Sequence, residues 1–295
     1  MLRTDDSRFA SLPDFPYEPS YVSVGSLRIA YVSAGPPDGP VALLLHGEPS
    51  WSFLYRKVIP VLTAAGIRSV APDLVGFGRS DKPPAAAHSF AAHVEWMRSL
   101  AFDALDLRDV TVVGQDWGGL IGLRLAAEHP TRVARIVAAN TGLPTGEHGM
   151  PAVWWRFRKA VENAEALEIG RFVQAGCRTT LSDEVRAAYD APFPGEEYKV
   201  GPRVMPGLVP VSLDDPAAPA NLAAWQVLRR WEKPFLCAFS DGDPITGPMA
   251  PVLRTQIPGA AGIDHPTIEG AGHFLQEDAG ERLGEEVAKF MRLST

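Results

Sequence analysis

Short apolar runs rich in β-branched residues, each bounded by turn residues, recur along the first half of the chain at 41–45, 68–71, 110–114 and 133–139. Runs of that length and character read as buried strands of a parallel sheet. The segments between them, 53–65, 89–105 and 117–129, carry apolar positions at helical spacing. Ahead of them, 21–24 and 27–32 flank Gly25-Ser26 and read as an opening hairpin. Strand and helix in alternation predict an α/β fold, a mostly parallel sheet covered by helices on both faces, with right-handed crossovers.

The pattern breaks from Thr141 to about Ala224. No strand is evident there. Helical segments rich in Trp, Arg and Glu are punctuated by Pro192, Pro194, Pro202, Pro206 and Pro210. Alternation resumes at 235–239 and 265–268, and an amphipathic helix closes the chain at about 281–293. The expected organisation is a core domain of residues 1–140 and 225–295, interrupted by a helical cap of residues 141–224. No internal repeat interrupts it.

Composition narrows the function only a little. The 295 residues carry a net charge of −7, which offers nothing to nucleic acid or an anionic membrane. The apolar runs are too short to cross a bilayer, and residues 1–16 lack a secretory apolar segment. A soluble, cytoplasmic protein is expected. Cys177 and Cys237 are far apart in sequence and read as unpaired thiols with no metal motif.

Chemistry enters at Gly114-Gln115-Asp116-Trp117-Gly118, which has the frame of a nucleophile elbow with aspartate where serine usually stands. A carboxylate nucleophile attacks saturated carbon and leaves an alkyl ester, so the substrate class shifts from esters toward alkyl halides or epoxides. In chain order the acid and base should follow. His273, in a glycine-flanked loop after the last predicted strand, is the expected base. Asp243, stiffened by Pro244 after the 235–239 strand, is the expected acid, and Asp241 the solvated turn residue. Asn140, at the end of the strand before the cap, is not an acid. His46-Gly47-Glu48-Pro49 follows the 41–45 strand where oxyanion donors belong, so the backbone amides of Glu48 and Trp117 are the expected pair. His46 reads as structural. The Glu48 side chain fits either a place near the hydrolytic water or a buried structural hydrogen bond.

With these residues in hand the chain resembles the haloalkane dehalogenases of the α/β-hydrolase superfamily over nearly its full length. The resemblance rests on residues 46–57, on Pro72-Asp73-Leu74-Val75-Gly76-Phe77-Gly78-Arg79-Ser80-Asp81-Lys82-Pro83, on 115–119 and on Ala271-Gly272-His273-Phe274. It is similar to the subfamily whose acid follows the late strand. The resemblance implies a small halogenated hydrocarbon as substrate, halide as product and no metal or organic cofactor. It also implies two indole N–H groups on the leaving halide, one beside the nucleophile and one from the cap. Trp117 matches the first. Trp154 and Trp155 are candidates for the second, with Trp155 preferred because an aromatic follows two residues later, as in similar enzymes. An indole suits an anion because it only donates. Phe53, Trp154, Phe157, Phe172, Phe193 and Phe274 are candidate pocket residues.

An epoxide hydrolase shares this machinery and would need cap tyrosines, for which Tyr189 and Tyr198 are available. Against it stand Gln115, where similar epoxide hydrolases carry histidine, and Glu48. A haloacid dehalogenase of this fold would place arginine where Trp117 stands. A non-catalytic ligand sensor is disfavoured by the intact nucleophile, base and acid. Substrate size and oligomeric state are not written in the sequence.

Overall fold

The computed structural model describes residues 1–293. The opening hairpin forms from β1 (Ser20–Val24) and β2 (Leu27–Ala34), antiparallel about Gly25. It is followed by β3 (Val41–Leu45), β4 (Arg68–Pro72), β5 (Val110–Gln115), β6 (Val133–Ala139) and β7 (Phe235–Cys237), parallel to one another. The sheet order is β1-β2-β4-β3-β5-β6-β7, with β2 antiparallel to β4. Past Ala238, β8 (Phe239–Ser240) continues the chain and pairs in parallel with β9 (Thr267–Ile268).

Chain order reverses between β3 and β5, since β4 lies on one side of β3 and β5 on the other. Ligands of open α/β sheets bind at such a switch point, outside the carboxyl ends of the strands. Leu45 is in register with Gly114. The loops leaving β3 and β5 therefore emerge side by side.

The connections are α1 (Val58–Ala64), α2 (Phe90–Arg98) and α3 (Trp117–Glu128). The helix expected over 53–65 is a 3-10 turn at Ser52–Tyr55 followed by α1. Pro60 gives a reason. It lacks an N–H, which costs nothing in the first turn of a helix but would break the interior of one begun at Phe53. Likewise α2 stops at Arg98 and the chain continues as a π-helical turn, Ser99–Ala104.

Between β6 and β7 lie α4 (Ala152–Asn163), α5 (Ile169–Gly176), α6 (Asp183–Asp190), α7 (Val200–Val204) and α8 (Ala218–Leu228). The boundary expected at 224–225 falls inside α8. That helix packs on α3, where Arg124 Nη1 donates to Asn221 Oδ1 at 2.9 Å. The chain ends with α9 (Met249–Gln256) and α10 (Leu275–Leu293), the latter kinked at Ala279 and starting earlier than the expected 281. Of the strand expected over 265–268, only Thr267–Ile268 pairs. His265 Nδ1 instead accepts the Cys237 N–H at 3.1 Å, a side chain substituting for a ladder bond.

A buried ion pair within the core is bonded from the cap. Arg56 Nη2 reaches Glu277 Oε2 at 2.6 Å, and the Tyr189 hydroxyl of α6 donates to the same carboxylate. Thr4 Oγ1 adds a bond to the Pro192 carbonyl at 2.6 Å, so the N-terminal segment also holds the cap. Among the described residues no helix is long and apolar enough to cross a membrane, and no group of three or more His, Cys, Asp or Glu side chains is placed to hold a metal ion.

Candidate active site

Asp116 sits between β5 and α3 with φ 51° and ψ −126°, the strained backbone of a strand-to-helix elbow. A non-glycine residue held there costs about 1–3 kcal/mol, offset by surrounding structure. The turn is tight enough to need glycine around it. A Cβ on Gly118 would lie 2.0 Å from the Leu45 carbonyl oxygen, and one on Gly114 2.6 Å from that of Gly118.

The register of β3 with β5 brings the Glu48 amide to this elbow, where it donates to Asp116 Oδ1 at 2.9 Å. Trp117 is the first residue of α3, so its amide has no intrahelical acceptor. Of the two amides expected at an oxyanion site, that of Glu48 thus bonds the Asp116 carboxylate and that of Trp117 directly follows Asp116 in the chain. His46 is fully buried and its Nε2 accepts the Leu74 N–H at 2.9 Å, a structural use.

His273 Nδ1 lies 3.0 Å from Asp243 Oδ2, and Nε2 lies 3.6 Å from Asp116 Oδ2. Nδ1 carries the proton in that bond, since a carboxylate only accepts. Asp243 is held in turn by the Ile245 amide at 2.9 Å and by Thr246. Burial would raise its carboxyl, but the His273 charge and these bonds outweigh burial and keep it below the ordinary value. For His273 burial acts downward, and the Asp243 and Asp116 carboxylates override it, raising the imidazole to about 10. Asp241 has its side chain 39% exposed and accepts the Ala271 amide, which fits a turn residue.

Three residues that orient this group were not singled out for that purpose by the sequence. Gln115 Nε2 donates to the His273 carbonyl at 3.2 Å and stands 3.1 Å from Nε2 of the ring. Asn140 Nδ2 reaches the Gly272 and His273 carbonyls at 2.9 and 3.0 Å, while its Oδ1 accepts the Ser240 amide. Thr141 Oγ1 donates to the Asp116 carbonyl at 2.8 Å. The available signal was position. Gln115 and Asn140 stand at or just past the carboxyl ends of adjacent strands.

Glu48, Asp116, Trp117, Trp154 and His273 line a cavity of about 940 Å³ between sheet and cap. The Glu48 carboxyl makes no hydrogen bond to the protein among the described residues, and its Oε1 is buried without a partner. The structural hydrogen bond considered for it is not formed. Burial, then the charge of Asp116, pushes this carboxyl well above the usual carboxylate range.

Trp155 requires a correction. It is 44% exposed and does not line the cavity, whereas Trp154 is 6% exposed and does. Successive helix residues turn by about 100°, so the adjacent tryptophans of α4 leave it in different directions although their rings touch edge to face. Trp154 lies on the face with Phe157 and Val161, which is turned inward. Neither Trp117 nor Trp154 spends its indole N–H on a protein acceptor among the described residues, unlike Trp51 and Trp225, which donate to carbonyls. Phe157, Phe172 and Phe274 line the cavity as expected. Phe53 and Phe193 are core residues, packed on Tyr189 and Phe77 respectively. Cys177, unpaired and half-buried, also lines the cavity, while Cys237 is buried and unpaired.

Fold and elbow together define an α/β hydrolase with an aspartate at the nucleophile position, and residues 40–280 match the alpha/beta hydrolase fold family. The chain is 49% identical over 297 residues to the haloalkane dehalogenase of Psychrobacter cryohalolentis, covering 99% of this chain and 98% of that one. It is 50% identical over 298 residues to haloalkane dehalogenase 1 of Mycobacterium tuberculosis, covering 99% of each. The solved tetrameric structure of the haloalkane dehalogenase DpaA of Paraglaciecola agarilytica superposes with a TM-score of 0.89 at 36% identity, covering 97% of this chain and 96% of that one. This chain belongs to the haloalkane dehalogenase family.

Proposed function

We propose that the protein hydrolyses carbon–halogen bonds of haloalkanes to alcohol, halide and a proton by way of a covalent ester on Asp116. Asp116 displaces the halide in line, and negative charge builds on the halogen as the bond breaks. Donors placed there favour the transition state over the neutral substrate. Trp117 and Trp154 supply them. The observation that carries this reading is that both indoles line the Asp116 cavity with their N–H groups free of protein acceptors among the described residues.

In the second half-reaction His273, oriented by Asp243, takes a proton from water, which attacks the ester carbonyl. Esterification removes the Asp116 charge, one of the two that raise the imidazole. The imidazole is then raised less and more of it is in the neutral form that can take a proton, and the Gln115 N–H beside Nε2 favours the form with a lone pair there. The oxyanion falls to the amides of Glu48 and Trp117. Residues 141–217 form the cap in this account, with α8 assigned to the core because it packs on α3.

Epoxide hydrolysis is less well supported. Tyr189 is buried on Glu277, and among the described residues no tyrosine lines the cavity to protonate an epoxide oxygen. Bromide release from 1,2-dibromoethane, with styrene oxide as control, tests the assignment. Steady bromide release without diol formation is expected; diol from styrene oxide with no bromide release would overturn it.

A further inference from the structure

Helix α2 places two rings against the Trp117 indole. Phe90 lies at 5.0 Å and His93 at 6.0 Å between centroids. Residues three apart share a helix face, so one helix presents both. For filling space a leucine would serve at position 93. An imidazole adds a donor and an acceptor fixed on a rigid ring.

His93 uses one of them. Its Nε2 lies 3.0 Å from His88 Nδ1, and such a bond needs one N–H and one lone pair, so a single proton is shared between the facing nitrogens. Both rings also pack against Trp96, at 5.0 Å for His93 and 5.8 Å for His88. His93 is 1% exposed and His88 7%. Burial, then the neighbouring His88 and His46, pushes His93 well below its ordinary value, and burial lowers His88. The pair is therefore a neutral, hydrogen-bonded unit behind the one residue that lends both an amide and an indole to the site.

We infer that His93, with its ring plane fixed by the bond to His88, is a positioning residue for the Trp117 indole and thereby sets halide affinity. The inference rests on the halide role of Trp117 proposed above. A ring able to rotate at position 93 would let the indole tilt, and a hydrogen bond to an anion weakens steeply with angle. Phe90 cannot supply this constraint, because phenyl makes no directional bond.

The test is the inhibition constant of bromide as a product inhibitor of 1-bromobutane hydrolysis. His93→Phe keeps the ring and loses the bond; it should raise the constant about two- to tenfold, the span one neutral hydrogen bond carries. His88→Gln keeps the ring at position 93 and a group able to bond its Nε2, and should hold the constant within about twofold of wild type. The double variant His88→Leu/His93→Phe leaves no unpaired buried donor, so its melting temperature should recover toward wild type. Its bromide constant should stay raised. Wild-type bromide affinity in folded His93→Phe, or its return together with stability in the double variant, would overturn the inference and leave the pair as packing. Should the single variant not fold, the double variant gives the same reading. Trp117→Phe separates the premise from the inference. If that change leaves bromide inhibition untouched, the halide role of Trp117 fails first and this inference with it.

Discussion

His273 stands between two carboxylates at unequal distances, 3.0 Å from Asp243 at Nδ1 and 3.6 Å from Asp116 at Nε2. The first is a hydrogen bond; the second exceeds one. The ring is thus anchored at Nδ1, while Nε2, with the Gln115 amide at 3.1 Å, faces Asp116 beyond hydrogen-bond distance, where the proposed mechanism has a water deprotonated once Asp116 is an ester.

Removing the base should separate the half-reactions. His273→Gln leaves the nucleophile and halide donors intact, so one equivalent of bromide per enzyme should still appear. Turnover should then fall by about 10²- to 10⁴-fold, the usual contribution of a general base. Intact-protein mass spectrometry should find the alkyl adduct on Asp116. Loss of the burst together with turnover would mean that the histidine is needed before the ester forms.

The two adjacent tryptophans of α4 should differ sharply. Trp154→Phe removes an indole donor from the cavity wall and should lower kcat/KM for 1-bromobutane by about tenfold or more, in line with a hydrogen bond to a charged group. Trp155→Phe alters an exposed side chain and should stay within about twofold of wild type. Reversed effects would return the cap donor to Trp155.

Stability should carry the signature of His273. Its value in the folded protein is raised to about 10 from 6.5, so the folded state holds a proton that the unfolded chain releases. The stabilisation is fully present below pH 6.5 and is lost as pH rises through about 10. Lys82, lowered by burial to about 8, pulls the opposite way over part of that range. The informative quantity is therefore a difference. The gap in melting temperature between wild type and His273→Phe should shift against wild type from pH 7 to pH 10, and parallel curves would contradict the raised value.

Much of this site was legible because its chemistry is concentrated at strand ends. Asp116, His273 and Asp243 each follow a strand, and the glycines around Asp116 announce a turn in which a Cβ would come within 2.0 or 2.6 Å of a backbone oxygen. The partner tryptophan was not legible. Choosing between Trp154 and Trp155 requires the rotation of α4 about its own axis, and two adjacent tryptophans do not specify which one turns inward. The end of the cap was hidden for a related reason. Residues 218–228 are as helical and apolar as a cap helix, and their packing on α3 is what supports the proposal that they belong to the core. The roles of Gln115 and Asn140 depend on backbone carbonyls near residue 273, contacts across more than a hundred residues that side-chain type does not announce.

The buried Arg56–Glu277 pair supports a prediction about stability. Both side chains are almost fully buried, and the Tyr189 hydroxyl shares the carboxylate. Removing one partner leaves an uncompensated buried charge, which costs about 3–5 kcal/mol. Glu277→Ala should therefore lose that much in urea unfolding, while Arg282→Ala, on an exposed side chain of the same helix, should cost about 1 kcal/mol or less. A loss for Glu277→Ala as small as that for Arg282→Ala would show that the buried pair does not contribute to stability.

The ester on Asp116 is the centre of the account, and one turnover in ¹⁸O-labelled water tests it directly. With enzyme in excess over 1-bromobutane, water attacking the ester carbonyl places the label in the Asp116 carboxylate, and the butanol takes its oxygen from the unlabelled side chain. Peptide mass spectrometry should find ¹⁸O at Asp116 with the alcohol unlabelled. Label in the alcohol and none in Asp116 would mean that water attacks the substrate carbon itself, and the covalent mechanism would fail.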